Sequence, residues 1–346
     1  MELNLEALFQ EAVAKNASDV HLVVGRTPIL RVNGELGGLE GYPEVTDKIM
    51  NEMLESLLNE DQKKTFISEK DIDLSYQLAS GNRLRINLFW EKDSVSMAAR
   101  VILNVVPTMA ELSMPKIAYE LIKGMQGLVL VTGATGCGKS TTLAAMIDQI
   151  NSEQTAHIIT LEDPIEYIFT KRKSIIAQRQ LGTDMKSFAG ALKYVMRQDP
   201  DVIMVGEMRD LETIAATLTL AETGHLVLAT LHTHNAPQTI DRIVDVFPPH
   251  QQTQVRTQIA NCLLAVISQQ LMPSQSGGRV AAREIMINSP AIATTIRENK
   301  IPQIKTIIQT SADKGMITMD QDIDRLANAG VISQDVCEYY KSALLR

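Results

Sequence analysis

Gly133-Ala134-Thr135-Gly136-Cys137-Gly138-Lys139-Ser140 decides the fold. The run fits GxxxxGK[ST]. It follows an apolar stretch, Leu128–Thr132, that reads as a buried strand, and it opens a helical stretch, Thr141–Ile150. That context makes the motif specific. Glycines let the backbone wrap an anion and aim its N–H groups inward, and the helix start adds partial positive charge. Gly133 to Thr141 are therefore candidate nucleotide contacts. Lys139 is placed to neutralise the β and γ phosphates, and the Ser140 hydroxyl to ligate Mg²⁺. Cys137 keeps two readings: a small residue where only the backbone matters, or a redox-sensitive thiol at a helix start.

Two further apolar strands end in acids. Pro200-Asp-Val-Ile-Met-Val-Gly-Glu207-Met-Arg-Asp210 is expected to lie next to the loop strand and to bring Glu207 to the Mg²⁺. Ile159-Thr-Leu-Glu162-Asp163-Pro164-Ile-Glu166-Tyr is stopped by Pro164, and Glu162 is a candidate general base for the attacking water. Asp163 and Glu166 stay open between site residues and a solvated acidic loop. Gly224-His225-Leu-Val-Leu-Ala-Thr-Leu-His232-Thr-His234 holds three of the six histidines. On a strand His232 and His234 would share a face. With no third ligand evident, a metal site is disfavoured. His232 reads better as a γ-phosphate sensor, a ring N–H donating to a terminal phosphate. His225 is a candidate nucleotide contact or a capping residue.

Outward from these segments, short apolar strands at Leu128–Thr132, His157–Leu161, Val202–Val205 and Leu226–Thr230 alternate with helices, the pattern of a parallel sheet covered on both faces. Beyond Gln251 the chain reads as mostly helical, with a strand at Glu284–Ile287. The first ~100 residues differ. Leu5, Leu8, Phe9, Ala12 and Val13 mark a helix, and Ile49 to Leu58 a second. Val20–Val24 and Ile29–Val32 are strands, the latter followed by an Asn33-Gly34 turn. Leu84, Ile86 and Leu88 alternate with Arg83, Arg85 and Asn87 as a half-buried strand beside Met97–Leu103. A small mixed sheet with helices on one side is expected there. Val105–Pro115, with two prolines and little periodicity, reads as a linker, so the domains are 1–104 and 116–346.

The 346 residues carry net charge −8 and only 4% aromatics, which argues against a basic, stacking nucleic-acid channel. Three scattered cysteines exclude a CxxC ribbon and argue against a disulfide framework, and a reducing cytoplasm fits them. Met1-Glu2-Leu3-Asn4 lacks the features of a signal peptide, and no apolar run approaches the ~20 residues of a membrane span.

Taken together these residues resemble the secretion and type IV pilus ATPases over nearly the whole chain. The loop, the acidic segment Leu161–Tyr167, the glutamate strand end Val205–Asp210 and the histidine segment Gly224–His232 occur in that family's order. Ala17-Ser-Asp-Val-His-Leu22 and Asp241-Arg-Ile-Val-Asp-Val-Phe-Pro248 resemble its retraction branch. The resemblance implies an α/β chain with a PAS-like α+β N-terminal domain and a RecA-like ATPase domain ending in a helical part. It further implies a homohexamer that uses ATP and Mg²⁺ to power pilus disassembly and retraction. Its site would lie between subunits, with arginines of the N-terminal domain reaching the phosphates. Arg85 and Arg100 fall in those places, and Arg83 stays open. An inner-membrane platform protein and related pilus ATPases are the implied partners, and the implied location is cytoplasmic, peripheral at the inner membrane. Two positions depart from the branch. Pro290-Ala-Ile-Ala-Thr-Thr-Ile-Arg297-Glu298 has Ala293 where an Arg is expected, and Asp93 stands where many relatives carry Arg. A pilus-assembly or type II secretion ATPase is an alternative, though those relatives are longer and carry a four-cysteine zinc insertion. An accessory, weakly hydrolysing regulator is another.

Overall fold

Short amphipathic segments build the first unit of the computed structural model, which describes residues 3–32, 34–102 and 105–344. This unit runs to Val105 and takes in Glu166–Ile168. The second comprises Val106–Ile165 and the chain from Phe169. Asn33 of the expected turn and Leu103 of the expected strand end lie outside the described residues, as do Met1 and Glu2.

In the first unit, helix α1 (Leu5–Ala14) starts at Asn4, whose side chain accepts from the Ala7 N–H at 3.0 Å, and it buries Leu8, Phe9 and Ala12. Strands β1 (Asp19–Leu22), β2 (Ile29–Val32) and β3 (Glu35–Gly38) precede helices α2 (Asp47–Leu57) and α3 (Glu60–Glu69). Asn59 and Gln62 cap α3 reciprocally. Strands β4 (Asp71–Gln77), β5 (Arg83–Glu91) and β6 (Ser94–Ile102) complete a six-stranded sheet in the order β3-β2-β1-β6-β5-β4. Every neighbouring pair is antiparallel, so the expected mixed sheet is corrected. A tight turn at Lys92-Asp93 joins β5 to β6, and a tight turn reverses the chain. Leu84, Ile86 and Leu88 are fully buried in β5 while Arg83, Arg85 and Asn87 take the other face.

The second unit opens with α4 (Lys116–Leu121). Then come β7 (Gly127–Thr132), α5 (Lys139–Glu153), β8 (His157–Glu162), β9 (Ile175–Gln180), α6 (Phe188–Val195), β10 (Val202–Val205), α7 (Leu211–Glu222), β11 (Leu226–Leu231), α8 (Ala236–Asp245) and α9 (Pro249–Cys262). Strands β12 (Leu263–Pro273) and β13 (Arg279–Ile287) follow, then α10 (Pro290–Arg297), α11 (Ile304–Thr310), α12 (Met319–Asn328) and α13 (Gln334–Leu344). The seven strands lie in the order β13-β12-β7-β11-β10-β8-β9, all parallel except β13. Every residue of β7, β10 and β11 is buried, as a sheet covered on both faces requires.

Two expectations change here. Beyond Gln251 the helices α9 to α13 still predominate, but the strand expected at Glu284–Ile287 is the end of a long hairpin formed by β12 and β13. Leu263-Leu-Ala-Val-Ile is a continuous apolar run, which a buried strand and a buried helix share. The expected linker is also folded structure. Met109 and Met114 are buried, and the Arg283 guanidinium donates to the carbonyls of Leu112 (2.8 Å) and Ser113 (3.3 Å).

Candidate nucleotide site

Strand β7 runs straight into the glycine loop. Gly133, Gly136 and Gly138 have φ of 140°, 77° and 86°, which side-chain-bearing residues rarely adopt. At Gly133 a Cβ would also collide with the Gln269 carbonyl oxygen and the Cys137 sulfur. Gly138 precedes the first turn of α5, where Lys139, Ser140 and Thr141 sit. The buried Lys139 folds its ammonium over the loop, donating to the carbonyls of Gly133 (2.9 Å) and Ala134 (3.0 Å). Those acceptors are neutral. A charged phosphate oxygen is the stronger partner and can take the ammonium from them.

The loop is propped from behind by β12, which the sequence did not reveal as a strand. Gln269, only 3% exposed, donates from Nε2 to the Cys137 carbonyl at 2.7 Å and accepts from the Thr142 hydroxyl at 3.0 Å. Ser268 pairs with Thr132 in register, and their hydroxyls are 2.8 Å apart. Burial pushes the Cys137 thiol up, against the pull of Lys139 and nearby hydrogen bonds. The redox reading is corrected on that ground, because a reactive cysteine needs an exposed, electropositive setting.

Glu162 closes β8 and is 6% exposed. The Thr160 hydroxyl (2.6 Å) and Gln178 Nε2 of β9 (3.2 Å) both donate to its Oε1, which fixes the carboxylate's direction. Asp163 and Glu166 are exposed beyond it.

Glu207 follows β10, but β10 is not next to β7. Strand β11 lies between them, and the expected adjacency is corrected. Neighbouring strands are ~4.8 Å apart, so two spacings separate the strand of Glu207 from that of the loop. The loop that follows the intervening strand fills the gap with His232, whose Nε2 is 2.9 Å from Glu207 Oε1. Arg209 holds the other oxygen at 2.8 Å. Burial pushes the Glu207 carboxyl up. The Arg209 hydrogen bond and the charges of His232, Arg209 and Lys139 outweigh it and leave the group below the ordinary carboxylate range. The Lys139 contribution links this cluster to the loop. Thr230 secures the approach, accepting at its carbonyl from the Met208 N–H and donating its hydroxyl to the Gly206 carbonyl.

The histidines separate. Strand β11 ends at Leu231, so His232 and His234 lie in the loop beyond it rather than on one strand face. His225 sits before β11, at the opposite edge of the sheet. At ~3.3 Å per residue it is roughly 20 Å from His232. Its Nδ1 lies 3.0 Å from the Leu220 carbonyl at the end of α7, so it caps that helix and does not join the loop residues. Among the described residues no group of three His, Cys, Asp or Glu is arranged to hold a metal.

In the first unit Arg85 and Arg100 face each other directly across β5 and β6. Such a like-charge pair is unfavourable alone. Each has an acid beside it: Asp73 is 3.0 Å from Arg85, and Asp19 is 3.0 Å from Arg100. The Arg100 side chain remains 72% exposed. Arg83 keeps a buried Nε without a partner.

Residues 108–318 match the family described as Type II/IV secretion system protein. The "Twitching motility protein" of Neisseria gonorrhoeae is 46% identical over 310 residues, 89% of this chain and 83% of its own length. The "Type IV pilus retractation ATPase PilT" of Pseudomonas aeruginosa is 42% identical over 333 residues, 96% of each chain. Among solved structures, the pilus retraction motor PilT with bound ADP is similar at a TM-score of 0.91 and 43% identity, covering 97% of this chain and 96% of the other. The glycine loop, the two glutamates and the histidine at its sheet edge are thus set in a chain that belongs to the Type II/IV secretion system protein family.

Proposed function

We propose that this chain is a Mg²⁺-dependent ATPase that powers type IV pilus disassembly and retraction. It would act as a homohexameric ring in the cytoplasm, held at the inner membrane by a pilus platform protein. The observation that carries the reading is the likeness to an ADP-bound retraction motor across almost the full length of both chains. The ATPase chemistry rests on the loop, the two glutamates and His232.

In this reading the loop N–H groups and Lys139 bind the β and γ phosphates. Ser140 and Glu207 form a hard-oxygen donor pair, a hydroxyl in the first turn of α5 and a carboxylate kept ionised. Mg²⁺ needs few protein ligands when phosphates and water supply the rest. Bound there, it would neutralise charge on the β and γ oxygens. Glu162, held by Thr160 and Gln178, orients the attacking water and takes its proton. His232 exchanges its bond to Glu207 for one to the terminal phosphate, and so reports whether that phosphate is present. Arg100 and Arg85 reach the phosphates from a neighbouring subunit.

The accessory-regulator reading is favoured by one observation. Ala293 lies buried in α10, packed with the core, where the retraction branch carries a charged Arg. Deleting the gene and counting surface pili separates the cases. Excess pili are expected; absent pili would mean an assembly motor, and an unchanged count would favour the accessory role.

A further inference from the structure

The second unit contains a cavity of about 710 Å³, and none of its lining residues belongs to the nucleotide site. Its size falls in the range of small-molecule sites, ~300–1,000 Å³. Its walls are largely apolar, with Met114, Met316 and Ile317 among them. Lys116, Arg283 and Arg325 also line it, against a single carboxylate, Asp322.

That carboxylate is already committed. Asp322 accepts from the Arg283 backbone N–H at 2.7 Å and from Arg325 Nε at 2.7 Å. Lys116 has no ion-pair partner among the described residues, and Arg325 meets Asp322 through Nε alone. The Arg283 guanidinium is 4% exposed and touches only carbonyls, with its Nε unpartnered. Burial lowers its pKa to about 10, against the attraction of Asp322, yet it stays charged at neutral pH. The cavity therefore has a positive excess beside apolar walls. One carboxylate shared among three cations leaves buried positive charge incompletely compensated, which is costly, and an anion brought beside it recovers part of that cost.

We propose that this cavity binds a small organic anion: a carboxylate, sulfonate or phosphate carried on an apolar body. The charged head sits among Lys116 and Arg325, with Arg283 behind them. The body lies against the apolar wall.

The test uses the purified full-length chain and two fluorescent probes that differ only in charge, anilinonaphthalene sulfonate and its uncharged parent N-phenylnaphthylamine. The sulfonate should bind at one saturable site at least ~10-fold more tightly than the parent, since a charge-assisted hydrogen bond contributes at least that much. Lys116→Met combined with Arg325→Met should remove that preference. Arg325→Met disturbs Asp322 and could harm folding. Ala312→Trp, at an exposed lining position, is the second variant. It should block the cavity and abolish binding while the melting temperature holds. Saturating ATP with Mg²⁺ should leave sulfonate binding unchanged. Equal binding of the two probes, unchanged binding in Ala312→Trp, or displacement by ATP would each overturn the proposal. Because ATP is the competitor, a failure here is distinct from a failure of the ATPase reading.

Discussion

Replacing Gln269 by Leu keeps the strand and most of the volume but removes both hydrogen bonds that prop the nucleotide loop. The two partners respond differently. The Thr142 hydroxyl can turn to the Gly138 carbonyl four residues back in its own helix, so its loss is small. The Cys137 carbonyl loses its buried donor, which costs ~1–3 kcal/mol. That cost falls on the loop conformation that aims its N–H groups at phosphate. If the conformation becomes less populated by this amount, apparent ATP affinity drops by ~5–150-fold. Turnover at saturation should change little, because Lys139 and Glu162 are untouched. The assay is steady-state hydrolysis, fitted for kcat and KM well below the melting temperature, with a direct ATP-binding titration. Thr142→Ala is the control and should shift KM by less than ~5-fold, because Gln269 Nε2 still donates to the Cys137 carbonyl that shapes the loop. A Gln269→Leu variant with KM within twofold of wild type but a lowered melting temperature would refute the reasoning. Gln269 would then support the core and not the loop.

Glu162→Gln should bind ATP normally and turn over at least ~10²-fold more slowly, as loss of a general base predicts; near-normal turnover would move the base elsewhere, with Glu207 the next candidate. Arg100→Ala should depress turnover by up to ~10³–10⁵-fold while ATP still binds, and mixing it with Glu162→Gln subunits should restore some activity; no rescue in verified mixed rings would refute a shared site. Burial pushes the Cys262 thiol to about 12, so at pH 8 only about one molecule in 10⁴ is thiolate. A thiol-alkylating reagent at that pH should leave Cys262 and the buried Cys137 unmodified in the native chain and label both after denaturation, as mass spectrometry would show.

What was legible in the sequence was what is local. The loop, its strand and its helix are contiguous, so the motif and its context arrive together. The alternation in Arg83–Leu88 identifies its strand for the same reason. Strand order was not legible, because a parallel crossover passes over the sheet and can land beside any neighbour. Sequence adjacency alone therefore sets Glu207 one strand too close to the loop. A shared face for His232 and His234 holds only on a strand, and nothing in Leu231-His232-Thr233 marks where the apolar run stops being sheet. Gln269 lies far along the chain from the loop it supports, in a run with no periodicity to announce it.

Once β12 and β13 are known to be strands, the two-residue period does much of the rest. Ser268 and Gln269 must point to opposite faces. Gln269 takes the face of the loop and α5, and its register partner Arg283 holds the Leu112 and Ser113 carbonyls. Ser268 takes the other face, and its register partner is the buried Glu284. Glu284 Oε1 accepts from the Ala236 N–H at 2.8 Å, at the start of α8 just beyond His232. One hairpin thus references both sides of the candidate site, the loop through Gln269 on one face and the segment after His232 through Glu284 on the other. A shift of β12 and β13 would move both together, whereas a side-chain change at either position would disturb only its own side.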